Sequence, residues 1–197
     1  MEGREARKQD IILAGVGGQG ILSIAYVIDH AALDEGLNLR QAEVHGMAQR
    51  GGAVQSHLRL SSETVYSDLI PRGGADMILS VEPLEALRYL DSLAPWGVVV
   101  TSATPFRNIP DYPDLEDILE RLRRVPKHAV ADSEKLAKEA GSSRAQNMVM
   151  LGAASPFLML KEDGLLRHIE NLFKPRGANL ADINLKAFRL GRAAASS

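Results

Sequence analysis

The chain has 197 residues, of which 45% are hydrophobic and 24% charged, and these values fit one globular domain. A formal net charge of −2 gives no global attraction to nucleic acid or to an anionic membrane, so any basic site is local. The absence of cysteine excludes disulfides, thiolate nucleophiles and cysteine-ligated iron–sulfur clusters on this chain and fits a cytoplasmic protein. The longest apolar run, 148–160, falls short of the roughly 20 residues of a membrane span, and the mixed charges of residues 1–10 argue against a signal peptide.

The first elements in chain order are predicted to form a strand, a glycine turn, a helix and a second strand. The apolar run 10–15 is typical of a buried strand, and apolar residues recur at helical spacing over 21–36. Residues 37–44 predict the second strand. Because a crossover helix joins parallel strands, we expect these two strands to be parallel and to lie next to each other.

After the second strand, apolar and polar residues alternate along the sequence. Residues 53–60 predict a half-exposed strand, and residues 64–69 are expected to close a hairpin with it. Buried strands are predicted at 75–81 and 96–102, separated by a helix that begins at Glu82-Pro83.

A proline-rich loop and a helix over 115–124 follow. The remaining pattern predicts a short strand, a helix capped by Asp132 or Ser133 and ended by Gly141, a helix from about Arg144 and a C-terminal helix over 181–192. The predicted fold is a single Rossmann-like α/β domain, with a mostly parallel sheet, helices on both faces and an antiparallel hairpin addition. We expect residues 1–9 to be a flexible N-terminus, 10–192 the domain and 193–197 a tail.

The glycine turn matches a dinucleotide-binding pattern. Gly15, Gly17 and Gly20 have the spacing G-x-G-x-x-G, directly after a strand and before a helix, where backbone amides can approach a phosphate. Glu43 follows at about the distance of a ribose-binding acid. A P-loop is excluded because Ile21-Leu22, and not Lys-Ser/Thr, follow the last glycine. The alternative is that the glycines only permit a tight corner.

A second polar stretch follows the second strand and is expected at the same edge of the sheet. In it Arg50 suits an anion, and Gln49 and His45 offer directed hydrogen bonds. His45 is also the candidate general base, although Glu43 is the one carboxylate near it in the sequence. For His45, as for His57, a structural hydrogen bond is an equally good interpretation.

Complete catalytic machinery is not predicted. There is no G-x-S-x-G serine, and the five histidines lack the i, i+4 pairing of a zinc helix, so no metal site is expected. His30, His128 and His168 are interpreted as surface or capping residues. An anion-facing edge without catalytic machinery suggests an accessory subunit that completes the active site of another chain.

Several blocks, taken in order, resemble one known family, and they cover nearly the whole chain. They are "ILAGVGGQGIL", "EVHGMAQRGGAVQSHLRL", "ADMILSVEPLEALRYL", "NMVMLGA" and "NLKAFRLG". Together they resemble the gamma-type domain of 2-oxoacid:ferredoxin oxidoreductases, and within that family the small beta subunit of the indolepyruvate type. The region 104–127 contributes least to the resemblance.

The resemblance implies a division of labour between two chains. A larger alpha subunit would hold thiamine diphosphate with its magnesium and 4Fe–4S clusters, and no cofactor is firmly expected on this chain. The complex would oxidatively decarboxylate an arylpyruvate, use coenzyme A as co-substrate to form the acyl-CoA and reduce ferredoxin. The candidate ligand- or partner-facing residues are Gly15, Gly17, Gly18, Gln19, Gly20, His45, Gly46, Gln49, Arg50, Gly51 and Gly52.

Three alternatives remain at this point. Gamma subunits that serve pyruvate, 2-oxoglutarate or branched-chain oxoacids share the glycine loop. A stand-alone nicotinamide-dinucleotide-binding oxidoreductase would use Glu43 for the ribose. A nucleotide-sensing or structural module would bind without a redox partner.

Overall fold

A computed structural model describes residues 6–45, 51–107 and 109–195, and within them six strands form one mixed sheet in the order β2-β3-β1-β4-β5-β6. Strands β1, β4, β5 and β6 are mutually parallel, and β3 is antiparallel to both of its neighbours, β1 and β2. The strands are β1 (Lys8–Val16), β2 (Asn38–His45), β3 (Ala53–Ser61), β4 (Ala75–Ser80), β5 (Leu93–Ser102) and β6 (His128–Ala131).

The two sides of the sheet are covered by different helices, because neighbouring strand residues point to opposite faces. Leu13 packs in a core formed with α1, α4, α5, α6 and α7, whereas Ile12 packs in a smaller core with α2 and α3. The predicted helices on both faces are therefore confirmed. They are α1 (Ile21–Asp34), α2 (Pro83–Arg88), α3 (Leu115–Arg123), α4 (Ser133–Ala140), α5 (Gln146–Ala154), α6 (Glu162–Phe173) and α7 (Ala178–Ala195).

The expected adjacency of the first two strands is wrong. Strand β3 lies between them and pairs with β1 from Lys8↔Ser61 to Val16↔Ala53. Strands β1 and β2 still run in the same direction, so their carboxyl ends reach the same edge of the sheet. The alternating pattern of residues 53–60 identifies the strand, but it does not say between which neighbours the strand inserts.

The predicted hairpin partner over 64–69 is also wrong. Both edges of β3 are occupied by β1 and β2, so no edge is left for a further strand. Residues 64–69 instead form a loop that Arg59 holds by donating hydrogen bonds to the carbonyl oxygens of Ser67 and Leu69, both at 3.1 Å. The same guanidinium makes a two-pronged ion pair with the buried Asp10, at 2.9 and 3.1 Å.

Helix α6 was not predicted from the sequence, although Leu165, Ile169 and Phe173 recur at four-residue spacing on its buried side. It packs on α1, where the Asp34 carboxylate accepts hydrogen bonds from Arg167 and His168 at 2.9 and 2.8 Å. None of the helices in the described ranges combines the length and apolar character that crossing a membrane requires.

Candidate functional site

The glycine loop turns the chain from β1 into α1. Gly18 and Gly20 have φ angles of 101° and 78°, in the left-handed region that disfavours other residues. Gly20 also faces the side chain of Asn147 so closely that a Cβ atom would collide with the amide, whose Nδ2 donates to the Gly20 carbonyl at 3.2 Å. These glycines are therefore needed for the local conformation, whatever the loop binds.

Gln19 stabilises the glycine loop through two hydrogen bonds to the backbone of Val16. Its side-chain Oε1 accepts a hydrogen bond from the backbone N–H of Val16 at 2.8 Å, and its own N–H donates to the Val16 carbonyl at 3.0 Å. Gln19 also lines the cavity at this edge. The side-chain oxygen of Gln19 is thus used to stabilise the loop. A contact between Gln19 and a ligand remains a proposal.

The glycine pair that precedes β3 lies against the glycine loop. The N–H of Gly17 donates to the carbonyl of Gly52 at 2.8 Å, and the N–H of Gly51 donates to the carbonyl of Gly17 at 3.4 Å. The two loops expected at one edge are thus joined by backbone hydrogen bonds at that edge. The predicted site residues Gly46, Gln49 and Arg50 lie outside the described residues.

His45 is described only as the last residue of β2. Its backbone pairs with Val54, which brings the end of β2 to the same edge as the two loops. The proposed role of its side chain as a base or a ligand contact stays a prediction.

A cavity of about 520 Å³ opens at this edge, beyond the carboxyl ends of β1, β4 and β5. The chain leads from β1 through α1 to one edge of the sheet, and from β4 through α2 toward the opposite edge. Ligands in open α/β sheets usually bind between two such neighbouring strands, at their carboxyl ends. Gly18, Gln19, Thr104, Phe106 and Arg144 are among its lining residues. The cavity offers backbone amides at the N-terminus of α1, a guanidinium and an aromatic ring, which can bind and orient an anionic ligand, and its lining carboxylate, Glu134, is paired with Lys138 at 2.6 Å.

Glu82, directly after β4, organises one wall of this cavity. The side chain is almost fully buried, and its carboxylate accepts hydrogen bonds from the Tyr112 hydroxyl, from the Phe106 N–H at 3.3 Å and from the Glu85 N–H at 2.8 Å. Burial and the neighbouring Glu82 carboxylate raise the pKa of Tyr112 well above its usual range, so Tyr112 stays a hydrogen-bond donor. Glu82 therefore fixes the loop that carries Phe106.

The sequence did not single out several of these residues. Glu82 was assigned only to a helix start, and Asn147, Thr104, Phe106 and Arg144 were not proposed as site residues. For Glu82 and Thr104, one available signal is their position just after the predicted strands 75–81 and 96–102, because strand carboxyl ends meet at the binding edge, whereas Arg144 and Asn147 follow no strand.

The remaining histidines lie away from the cavity lining. His57 is paired with Ile12 in the sheet, and its Nδ1 accepts the Ile70 N–H at 3.0 Å, while burial and Arg59 lower its pKa. His57 is therefore a neutral, structural residue. His168 is not on the surface as expected, since it is only 8% exposed and bound to Asp34.

Glu43 does not occupy the position of a ribose-binding acid. Because β3 separates β2 from β1, Glu43 lies two strand spacings, roughly 10 Å, from the strand that carries the glycine loop. Its carboxylate accepts a hydrogen bond from Gln41 at 2.6 Å. The interpretation as a nicotinamide-dinucleotide-binding protein therefore loses its ribose-binding acid and rests on the glycine loop alone.

The residues that the structure describes show no ligand group for the iron–sulfur clusters or the magnesium that the family resemblance implies for the complex. The sequence has no cysteine to ligate a cluster. Over the ranges 6–45, 51–107 and 109–195, no group of three or more His, Asp or Glu residues could hold a metal ion.

Comparisons with known proteins agree with this architecture. Indolepyruvate oxidoreductase subunit IorB of Thermococcus kodakarensis is 39% identical over 199 residues, covering 96% of each chain. The IorB subunit of Archaeoglobus fulgidus is 36% identical over 190 residues, covering 92% of each chain.

Among solved structures, the 2-oxoglutarate:ferredoxin oxidoreductase of Magnetococcus marinus, with 2-oxoglutarate, coenzyme A and succinyl-CoA bound, superposes with a TM-score of 0.77 at 26% identity. The superposition covers 96% of this chain and 31% of that longer one. The family model described as pyruvate ferredoxin/flavodoxin oxidoreductase matches residues 10–194. The chain therefore belongs to the pyruvate ferredoxin/flavodoxin oxidoreductase family.

Proposed function

We propose that this chain is the small subunit of a 2-oxoacid:ferredoxin oxidoreductase of the indolepyruvate type. The four IorB relatives, 36 to 39% identical over nearly the whole chain, support the indolepyruvate assignment. The observation that carries the proposal is the pair of hydrogen bonds between the glycine loop and the Gly51-Gly52 pair. It brings two sequence blocks of the family resemblance together beside one cavity.

The site is proposed to be completed by another polypeptide. Leu22, at the start of α1, is 49% exposed, Val44, at the end of β2, 50%, and Phe106, after β5, 43%. All three apolar side chains lie on elements that begin or end at the cavity edge, which fits burial by a partner. In ketoisovalerate oxidoreductase subunit VorA, the matching region is part of a longer chain, of which this chain covers 36%.

The larger subunit is proposed to hold thiamine diphosphate, magnesium and the iron–sulfur clusters. It would carry out decarboxylation and electron transfer to ferredoxin, with coenzyme A entering near the shared edge. This chain would position its partner and bind an anionic part of a ligand through the glycine loop, Gln49 and Arg50.

A second candidate is a gamma subunit with a different oxoacid. The 2-oxoglutarate synthase subunit KorC of Methanothermobacter thermautotrophicus is 30% identical over 95% of each chain, so the same domain also occurs in a protein with another substrate name. We propose the arylpyruvate type because its relatives are the more similar ones.

We expect activity only when this chain is combined with the larger subunit. The two chains should be produced separately and mixed, and indolepyruvate-dependent ferredoxin reduction and acyl-CoA formation measured for each chain and for the mixture. Pyruvate and 2-oxoglutarate serve as competing substrates, and a preference for indolepyruvate of about tenfold or more would support the arylpyruvate assignment. Turnover by this chain alone would contradict the subunit assignment, and a preference for another oxoacid would contradict only the substrate.

Arg50→Ala is expected to lower the activity of the assembled complex by about tenfold or more, because a charge-assisted hydrogen bond to an anionic group would be lost. The free energy of unfolding of the isolated chain should change by no more than about 0.5 kcal/mol. Urea unfolding and steady-state rates of the complex measure the two effects. Arg72→Ala, an exposed arginine paired with Asp91, is the control that should leave activity unchanged. If Arg50→Ala unfolded the chain while the folded complex kept normal activity, Arg50 would be structural.

A further inference from the structure

A second, smaller cavity adjoins the site. It has a volume of about 230 Å³, and Arg144 and Asn147 line both cavities. Its other walls come from the end of α6, from the turn that carries Arg176 and from the first two turns of α7, with Phe173 and Asn184 among the lining residues. A ligand that enters one cavity can therefore contact the residues that separate it from the other.

The charges of the smaller cavity have one sign. Arg144 and Arg176 are its charged lining residues, no carboxylate lines it, and neither guanidinium has an ion pair with any described residue. By contrast, Arg192 near the end of α7 forms an ion pair with Glu162 at 3.0 Å. The N-terminus of α7, which has no acidic residue in its first turn, adds partial positive charge. Arg144 and Arg176 are both exposed, so an anion from solvent can reach them.

Two buried amides keep the cavity walls in place. Asn184 is 3% exposed and donates to the Leu180 carbonyl at 2.8 Å. Asn147 is 6% exposed and donates to Gly20 in the glycine loop. Because both side chains are already hydrogen-bonded, the walls require little rearrangement when an anion enters between the arginines.

We propose that this arginine cavity is a phosphate-binding subsite continuous with the larger cavity. Two guanidinium groups present more donors than the two oxygens of a carboxylate can accept, whereas a phosphate group has three terminal oxygens. A volume below about 300 Å³ suits a phosphate group and not a whole nucleotide. The remainder of a phosphate ester would extend past Arg144 into the 520 Å³ cavity. The proposal concerns this chain alone and does not depend on its redox partner.

Titration of the full isolated chain with inorganic phosphate, adenosine monophosphate and adenosine tests the subsite. Calorimetry gives the affinities, and amide NMR shifts at Gly177, Leu180 and Ala145 locate the binding. We expect both phosphate compounds to bind there and adenosine not to. If the natural ligand is a phosphate ester, adenosine monophosphate binds more tightly and also shifts Thr104 and Phe106; if it is free phosphate, the two affinities are equal.

Arg144→Gln and Arg176→Gln are each expected to weaken phosphate binding by about tenfold, the effect of one lost charge-assisted hydrogen bond. Arg189→Gln makes the same charge change at an exposed position of α7 outside the cavity lining and should leave the affinity unchanged. Circular dichroism checks that all three variants are folded. Absence of phosphate binding by the folded chain, binding of adenosine as tight as that of adenosine monophosphate, or equal weakening by Arg189→Gln would each overturn the proposal.

Discussion

Replacing Gly152 by alanine is expected to destabilise the chain by at least about 3 kcal/mol, because it places a methyl group where two helix backbones touch. Gly152 in α5 faces the backbone of Phe188 in α7, and Gly191 in α7 faces the backbone of Val149 in α5, so a Cβ atom at either glycine overlaps main-chain atoms. Main-chain atoms, unlike a side chain, cannot move aside by adopting another rotamer. Helices α5 and α7 would therefore have to separate to make room for the methyl group. Urea unfolding of the isolated chain, followed by circular dichroism, measures the loss.

Gly164→Ala is the matched control. Gly164 also lies in a helix, α6, but an added Cβ would meet the nearest atom, Ala31 Cβ, at an ordinary 3.5 Å. The better helix propensity of alanine is expected to make this variant neutral or more stable by up to about 1 kcal/mol. Equal stability of the Gly152 and Gly164 variants would show that the contact between α5 and α7 yields easily.

Most helices and buried strands follow from local patterns in the sequence, and the position of β3 does not. The apolar run before Gly15 and the spacing of Ile21, Ile24 and Ile28 fix β1 and α1, since only a buried strand and an amphipathic helix satisfy them. The insertion of β3 depends on hydrogen bonds to strands that are far apart in sequence, such as Val16↔Ala53. No periodicity within residues 53–60 encodes that choice.

The residues of the candidate site also fall into a group that the sequence predicts and a group that it does not. The glycine loop was recognisable because its residues are consecutive and their conformations need glycine, as the left-handed Gly18 and Gly20 show. Asn147 reaches the cavity from a distant segment as a single residue, and a single polar residue has no pattern. The ribose interpretation of Glu43 was wrong because it assumed the strand order of a dinucleotide-binding fold.

A carboxyl group in α1 destabilises the chain at neutral pH. Asp29 has one side-chain oxygen, Oδ1, that is buried without a hydrogen-bond partner. Burial raises the pKa of this group from 3.8 to about 7, against a lowering by the nearby His30 and with a smaller further increase from the Glu43 carboxylate. The folded chain therefore holds a proton that the unfolded chain releases, and stability falls as the pH rises from 3.8 to about 7.

Asp29→Asn removes this cost, because an asparagine cannot ionise and has nearly the shape of a protonated aspartate. The gain in the free energy of unfolding is expected to be about 2 to 3 kcal/mol larger at about pH 8.5 than at about pH 5, because the folded carboxyl stays protonated up to about pH 7 while the unfolded one is already charged at pH 5. Urea unfolding of the wild-type chain and of the variant at the two pH values measures the difference, and comparison within each pH cancels the titration of other groups.

Asp34→Asn on the same helix has the opposite expected sign. Asp34 accepts a hydrogen bond from His168, and that bond, with the nearby Arg167, lowers its pKa below the usual 3.8. Its charge therefore stabilises the fold above that pH, the stabilisation is lost as the pH falls through the lowered pKa, and the variant should be less stable at neutral pH. A stability gain for Asp29→Asn that is the same at both pH values would show that folding does not raise the pKa of Asp29, and would contradict the prediction.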